Sequence, residues 1–427
     1  MHSADTNIRE NNCFRFSHAG ATFGSTTWGK RGALTLAALS ALLLVITALA
    51  RAQTETVLYS FCAQSGCTDG SNPLASLVLD ANGNLYGTTY HGGANAKGTV
   101  FAVRGSGTET VLYSFCAQSG CKDGYHPEAG LILDNGNLYG TTYDGGAHAA
   151  GTVFEVSGNG TETVLYSFCV KPHCSDGYYP HASLVRDNSG NLYGTTQFNG
   201  AYGGGTVFEL NASGTETVLY SFCAQPSCAD GSGPRSGLVL DTKGNLYGAT
   251  YGGGANGKGT VFKVTPNGTE TVLHSFCSQA GCKDGANPLA DLVIDTNGNL
   301  YGTTLKGGAS GKGTVFEVTA NGSETVLYNF CSQPGCRDGS SPKAGLILDT
   351  NGNLYGTTYY GGAKRGRGTV FELSASGTET VLHSFSANGT DGYNPVAGLV
   401  MDDKGNLYGT TLVGGANKGG TVFEVTP

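Results

Sequence analysis

Twelve cysteines stand in six Cys-x4-Cys pairs: Cys62 with Cys67, Cys116 with Cys121, Cys169 with Cys174, Cys223 with Cys228, Cys277 with Cys282, and Cys331 with Cys336. Thiols at this spacing could close local disulfides, run redox chemistry or hold a metal. A thioredoxin-like redox pair has two intervening residues rather than four, and zinc needs further ligands that are not repeated nearby. The seventh equivalent stretch, residues 386–391, lacks both cysteines at once. Pairwise loss is what mutual bonding predicts, so six structural disulfides are expected, in an oxidising compartment. The redox and metal readings remain the alternatives.

Carboxylates supply the second chemical pattern. Asp-Gly recurs seven times, from Asp69-Gly70 to Asp391-Gly392, and Asp80-x-Asn82-x-Asn84 places oxygen ligands at alternating positions as a calcium loop does. The alternation fails at Asn188-Ser189-Gly190, and no EF-hand glutamate follows. Asp and Asn in turns usually bond their own backbone, so neither metal nor cofactor is expected. Glycoside hydrolysis calls for a unique pair of acids. Asp144 is the only acid at its loop position, and no partner for it stands out.

These residues sit on a unit repeated seven times. Glu-Thr-Val-Leu begins at 55, 109, 162, 216, 270, 324 and 379; Asn-Leu-Tyr-Gly at 84, 137, 191, 245, 299, 353 and 406; Gly-Thr-Val-Phe at 98, 151, 205, 259, 313, 368 and 420. Each unit holds four short runs rich in Val, Leu, Tyr, Phe and Thr between glycine-rich turns, and none with helical periodicity. Four antiparallel strands per unit, seven times, predict an all-β, seven-bladed β-propeller. The chain opens on Glu-Thr-Val-Leu and ends on Gly-Thr-Val-Phe. That offset predicts that residues 55–61 supply the outer strand of the last blade and leave no open edge.

The combined pattern, Asp-Gly-x-x-Pro, Leu-x-x-Asp-x-x-Gly-Asn-Leu-Tyr-Gly-Thr-Thr and Gly-Gly-x4-Gly-Thr-Val-Phe, resembles the bacterial GloVer tandem repeat of the choice-of-anchor proteins. The resemblance covers residues 55–427 and implies an exported or surface-located repeat protein of undefined molecular function. A weaker likeness to kelch repeats rests on the Gly-Gly pair, without the kelch tryptophan.

A residue present in every blade is explained by building the blade, whereas a ligand without sevenfold symmetry needs residues that differ between blades. In a propeller the cysteine loops share a face with the Gly-Gly loops, and both carry most of the variation, as ligand-bearing loops do. The variable set includes Asp144, Phe198, Tyr202 and Tyr360, with Tyr125, His126, Tyr178, Tyr179 and His181 on the cysteine loops. Basic residues concentrate at Lys306, Lys312, Arg337, Lys343, Lys364, Arg365 and Arg367. All but Lys343, at the start of an inner strand, fall on the ligand-bearing loops. Lys306, Lys312, Arg337, Tyr360, Lys364, Arg365 and Arg367 are therefore the candidate ligand-binding residues, suited to an anionic partner.

Residues 1–52 read as a signal peptide with a long polar leader: Lys30-Arg31, an apolar run and Ala50-Arg51-Ala52. The alternative is an uncleaved membrane anchor. Residues 53–427 form the single propeller domain. Cleavage leaves 19 basic and 30 acidic residues, which disfavours nucleic acid as a partner. The expectation is a secreted or cell-surface monomer, a non-catalytic module that binds a polysaccharide or a surface protein. The competing expectation is a propeller glycosidase or lyase acting on polysaccharide.

Overall fold

The computed structural model describes residues 54–426 apart from Ser106, Lys364, Arg365 and Asn388; the signal peptide read from residues 1–52 lies outside the described residues. Seven antiparallel sheets succeed one another as blades. The first runs from the channel outwards through Val78–Leu79, Leu85–Thr89, Thr99–Val103 and Glu109–Ser114. Blades pack face to face, so both faces of a strand are covered. The third strand, Thr99–Val103, is accordingly buried at every position rather than at alternate ones.

The invariant letters of the repeat are packing requirements. A Cβ on Gly87 would stand 2.8 Å from both Leu77 and Phe101, so the Tyr-Gly-Thr of the second strand admits only glycine there. The Thr89 and Thr99 hydroxyls hydrogen-bond at 2.8 Å in the buried centre of the sheet, and the same threonine pair recurs in the other blades. Each seam between blades is filled by an edge-to-face phenylalanine pair, such as Phe115 with Phe154 at 5.0 Å.

The ring closes as the repeat offset predicts. Thr54–Ser60 pairs antiparallel with Thr421–Thr426, from Thr54 against Thr426 to Ser60 against Thr421. Phe61, fully buried, then meets Phe101 at 4.9 Å and makes the seam contact that an internal outer strand makes elsewhere. Thr410 also donates to the Ala75 carbonyl across the junction.

The two faces are built differently. One carries tight hairpins, including Asn135-Gly136, where φ is 50° and 81°, as a type I′ turn requires. The other carries the cysteine loops and the Gly-Gly loops packed on each other. The Gly93 N–H donates to the Cys67 carbonyl at 3.0 Å, with equivalents in the following blades. Gly92 has φ of 78° and a Cβ there would lie 2.5 Å from the same carbonyl, which is why this loop begins with two glycines.

Candidate binding face and central channel

All six cysteine pairs are bonded within their own loops, as their joint loss in the seventh copy predicts. Cys62 is joined to Cys67, Cys116 to Cys121 and Cys169 to Cys174. Cys223 is joined to Cys228, Cys277 to Cys282 and Cys331 to Cys336. With each sulfur bonded to its neighbour, these loops offer no thiolate to hold a metal. Both cysteines of every pair sit at positive φ, for example 60° at Cys116 and 52° at Cys121. The chain thus turns sharply at each end of the loop, and the two Cα atoms come within 4.1 Å of each other.

Beneath each loop lies the aspartate of Asp-Gly. Asp123 is fully buried and accepts from the Tyr113 hydroxyl at 2.8 Å and from the backbone N–H groups of Ala117 and Gln118. In the blade without cysteines, Asp391 still receives the Ser386 N–H at 2.8 Å. The repeated Asp is thus the loop's anchor, with the disulfide added in six of seven cases. The Asp-x-Asn turns are also structural. Asp80 accepts from the N–H groups of Asn82 and Asn84, the Asn84 amide and the Tyr86 hydroxyl.

The blades part company at the residue before the repeated proline. In blades 1, 5 and 7 it is Asn72, Asn287 or Asn394, whose side-chain amide donates to the carbonyl of Leu412, Tyr251 or Tyr359 in the preceding blade. The backbone there is left-handed, a conformation asparagine tolerates. Blades 2 and 3 hold His126 (φ 56°) and Tyr179 (φ 60°) instead. Both give up the amide contact and lay a ring on the preceding blade. His126 stacks on Tyr90 at 4.2 Å, and Tyr179 stacks on Tyr143 at 4.5 Å. Tyr125 lies edge-on to His126, and Tyr178 and Phe198 extend the cluster from Tyr179. The His126 Nδ1 meets the Asp144 carboxylate at 3.0 Å. The result is an aromatic strip along one side of the channel mouth. The positive φ itself recurs at Asn72, Asn287, Ser341 and Asn394, so it belongs to the fold, and it is the rings that set blades 2 and 3 apart.

Inside the mouth, the residue after the same proline comes from every blade in turn: Leu74, Glu128, His181, Arg235, Leu289, Lys343 and Val396 line one cavity of about 150 Å³. Here the structure corrects two sequence assignments. Lys343 is part of the channel wall, ahead of the inner strand Ile347–Leu348, and His181 faces the channel rather than belonging to a cysteine loop. The His181 Nε2 lies 3.0 Å from the Glu128 carboxylate. Burial pushes Glu128 up to about 7, with the Asp144 charge adding to it, and pushes His181 down to about 4, with Arg235 adding to it. Glu128 is also the second unique acid that the sequence reading did not find. The Arg235 guanidinium lies 5.0 Å over the Tyr251 ring, and its Nε donates to the Gln197 amide oxygen at 2.8 Å. Lys343 sits 3.5 Å over Tyr359.

The sequence-derived basic set divides. Lys306, Lys312 and Arg337 are exposed, and among the described residues none of them makes an ion pair. Tyr360 is 51% exposed, while Arg367 is half-buried with its guanidinium 4.7 Å over the Tyr393 ring. Lys364 and Arg365 lie outside the described residues. Tyr90, Tyr143, Gln197 and Arg235 escaped sequence reasoning. The first two hide in the repeated Thr-Thr-Tyr, but the residue after the proline differs strongly between copies and could have been found by that variation.

These features define a seven-bladed propeller with one elaborated face over a mixed polar and apolar channel. The chain belongs to the Gloeobacter/Verrucomicrobia repeat family, whose model matches residues 44–185, 170–337 and 333–427. None of the curated protein sequences matches it. Among solved structures it is similar to a puromycin hydrolase, with a TM-score of 0.51 and 14% identity over 80% of this chain and 50% of that one. A puromycin-hydrolyzing peptidase from Mycobacterium tuberculosis gives 0.49 and 11% over 82% and 52%, and a luciferin-regenerating enzyme 0.42 and 12% over 88% and 96%. The chain spans about half the length of both puromycin-cleaving structures. At these identities the likeness is one of fold.

Proposed function

We propose that the chain is an exported, non-catalytic binding module whose loop face takes a polysaccharide, with the aromatic strip of blades 2 and 3 as the contact surface. The observation that supports this is the placement of the large exposed apolar side chains. Among the described residues these are Val170, Phe198, Tyr202 and Tyr360, and all four lie on the cysteine or Gly-Gly loops. Exposed rings beside hydroxyls and an imidazole–carboxylate pair offer the apolar faces and directed hydrogen bonds that a sugar chain presents in complement. Lys306, Lys312, Arg337 and Arg367, with Lys364 and Arg365, would favour acidic chains over neutral ones. Export is supported by the leader at residues 1–52 and by six disulfides, which persist in oxidising compartments. Among the described residues no helix is long and apolar enough to cross a membrane.

The test is binding of neutral and acidic polysaccharides to wild type and to two double variants, Phe198→Ala with Tyr202→Ala and His126→Asn with Tyr179→Asn. The asparagine variants restore the residue of blades 1, 5 and 7, so they should keep their melting temperature and lose at least tenfold in affinity. Wild-type affinity in both variants would sink the reading. A glycosidase or lyase is the second reading, favoured by the unique acids Glu128 and Asp144 in one blade. Turnover of a polysaccharide that Glu128→Gln abolishes would replace binding with catalysis.

A further inference from the structure

The channel cavity adjoins the exposed strip, since Phe198 and Arg235 line one pocket, but it has its own set of charged residues. Of its seven mouth-side residues, Glu128 and His181 are paired with each other. Arg235 and Lys343 have no carboxylate within ion-pair distance among the described residues. Their nearest partners are uncharged, the Gln197 amide and the Tyr251 ring for Arg235 and the Tyr359 ring for Lys343, while Glu128 acts on Arg235 from further off. Deeper in the channel, Asp291 accepts the Gly237 N–H, so it is committed to bridging two blades. The wall is completed by Leu74, Leu289 and Val396. Two cations held by uncharged partners beside an apolar arc make a site that attracts an anion carrying a hydrocarbon body.

The geometry points to a small monocarboxylate as the ligand of this cavity, its carboxylate taken by the Arg235 fork and the Lys343 ammonium and its carbon face laid on Leu74 and Val396. The size limits the ligand to a single ring: a cavity of about 150 Å³ takes roughly one benzene-sized ring, and the substituents of a sugar acid must reach out through its mouth. The charge limits it too. A dianion such as phosphate would meet Asp291 and the Glu128–His181 pair across a narrow channel, whereas a monoanion is balanced by two cations. Burial raises the carboxyl pKa of Glu128 and of Asp291. The hydroxyls of a sugar acid would find partners in the Glu128–His181 pair. This site does not depend on polysaccharide binding at the rim.

The experiment is calorimetric titration of the full chain with D-glucuronate, D-glucose and inorganic phosphate at low and moderate salt. Glucuronate is expected to bind saturably, more weakly as salt rises, while glucose and phosphate bind at least tenfold more weakly. Arg235→Gln and Lys343→Met should each lower glucuronate affinity by tenfold or more, and Lys404→Ala, on an exposed hairpin turn of the opposite face, should leave it unchanged. Should Arg235→Gln fail to fold, Lys343→Met and the cavity-filling Val396→Phe carry the same test. Absence of glucuronate binding by wild type overturns the proposal. So does equal binding of glucose, tighter binding of phosphate, or wild-type affinity in folded Arg235 and Lys343 variants.

Discussion

The strands of each blade end on two faces, and the faces use aspartate in opposite ways. On the hairpin face Asp187 accepts from Ser189, Asn191 and Tyr193, all within six residues of itself. The turn is short and its donors are local, so it has little length in which to carry a ligand-binding side chain. On the loop face Asp123 is buried and gathers donors from both ends of a loop, and the bond between Cys116 and Cys121 ties the same loop again. A loop anchored from beneath can vary at its tip without unfolding. Variation confined to one face therefore follows from how the two faces are anchored, and the exposed aromatic residues collect where anchoring permits them.

The comparison assumes that all seven blades form one closed ring, and breaking closure should have the largest effect. Deleting residues 53–61 removes the outer strand that pairs with Thr421–Thr426 and takes Phe61 out of its seam. Aggregation or loss of cooperative unfolding is expected, because a long unpaired edge is exposed beside a cavity where Phe61 stood. An unchanged melting temperature would show that the last blade does not need its borrowed strand.

A smaller and more direct test sets the two aspartates against each other. Asp123→Ala leaves the Tyr113 hydroxyl and the Ala117 and Gln118 N–H groups without their buried acceptor and should cost about 3 kcal/mol. Asp187→Ala frees donors that water can reach and should cost only about 1 kcal/mol. Urea unfolding of the two variants measures both. Equal losses would mean that the loop is held by its disulfide alone and that the buried aspartate adds nothing.

The fold was legible because its devices repeat. The three marker motifs gave the blade count, the offset between first and last motifs gave the closure, and the shared absence of cysteines at residues 386–391 gave the pairing. The loop face was legible in outline, since His126, Tyr179 and Phe198 interrupt a repeating pattern. The channel was not. Leu74, Glu128, His181, Arg235, Leu289, Lys343 and Val396 follow a proline at what reads as the start of an ordinary strand. Nothing in strand periodicity says that the inner strand is interrupted there. In blade 4 it pairs at Ser232–Pro234 and again only at Val239–Leu240, and Arg235 lines the channel between them. Those seven residues nonetheless differ in charge and size at one fixed position of the repeat, so variation between copies marks the position where strand periodicity does not.

The smallest effect is expected at the seams, where the anchoring aspartate of one blade faces the first glutamate of the next outer strand. Glu109, Glu162, Glu270, Glu324 and Glu379 are each pushed up to about 7, first by burial and then by the nearby aspartate charge. Glu216 is raised by burial too, but Lys171 at 2.6 Å works against the rise. A carboxyl whose pKa is higher folded than unfolded holds its proton better in the folded state. Its contribution is therefore full below the unfolded value near 4.5 and is lost as pH climbs to about 7. The hairpin aspartates run the other way. For Asp187, burial raises the carboxyl but the bonds from Asn191, Tyr193 and Ser189 outweigh it, so stability falls only on acidification below the usual carboxylate range. Melting temperature should then rise between pH 8 and pH 5. At pH 8, Glu109→Gln should raise it slightly, on the order of 1 °C after allowance for solvent screening. Glu216→Gln should raise it less, because Lys171 already offsets part of the burial of that carboxylate. Scanning calorimetry of the two variants at pH 8 and pH 5 reads the difference directly. A rise at pH 8 as large for Glu216→Gln as for Glu109→Gln would mean that Lys171 does not relieve the burial of Glu216, and no rise for Glu109→Gln would mean that the seam carboxylates feel neither burial nor the neighbouring aspartate.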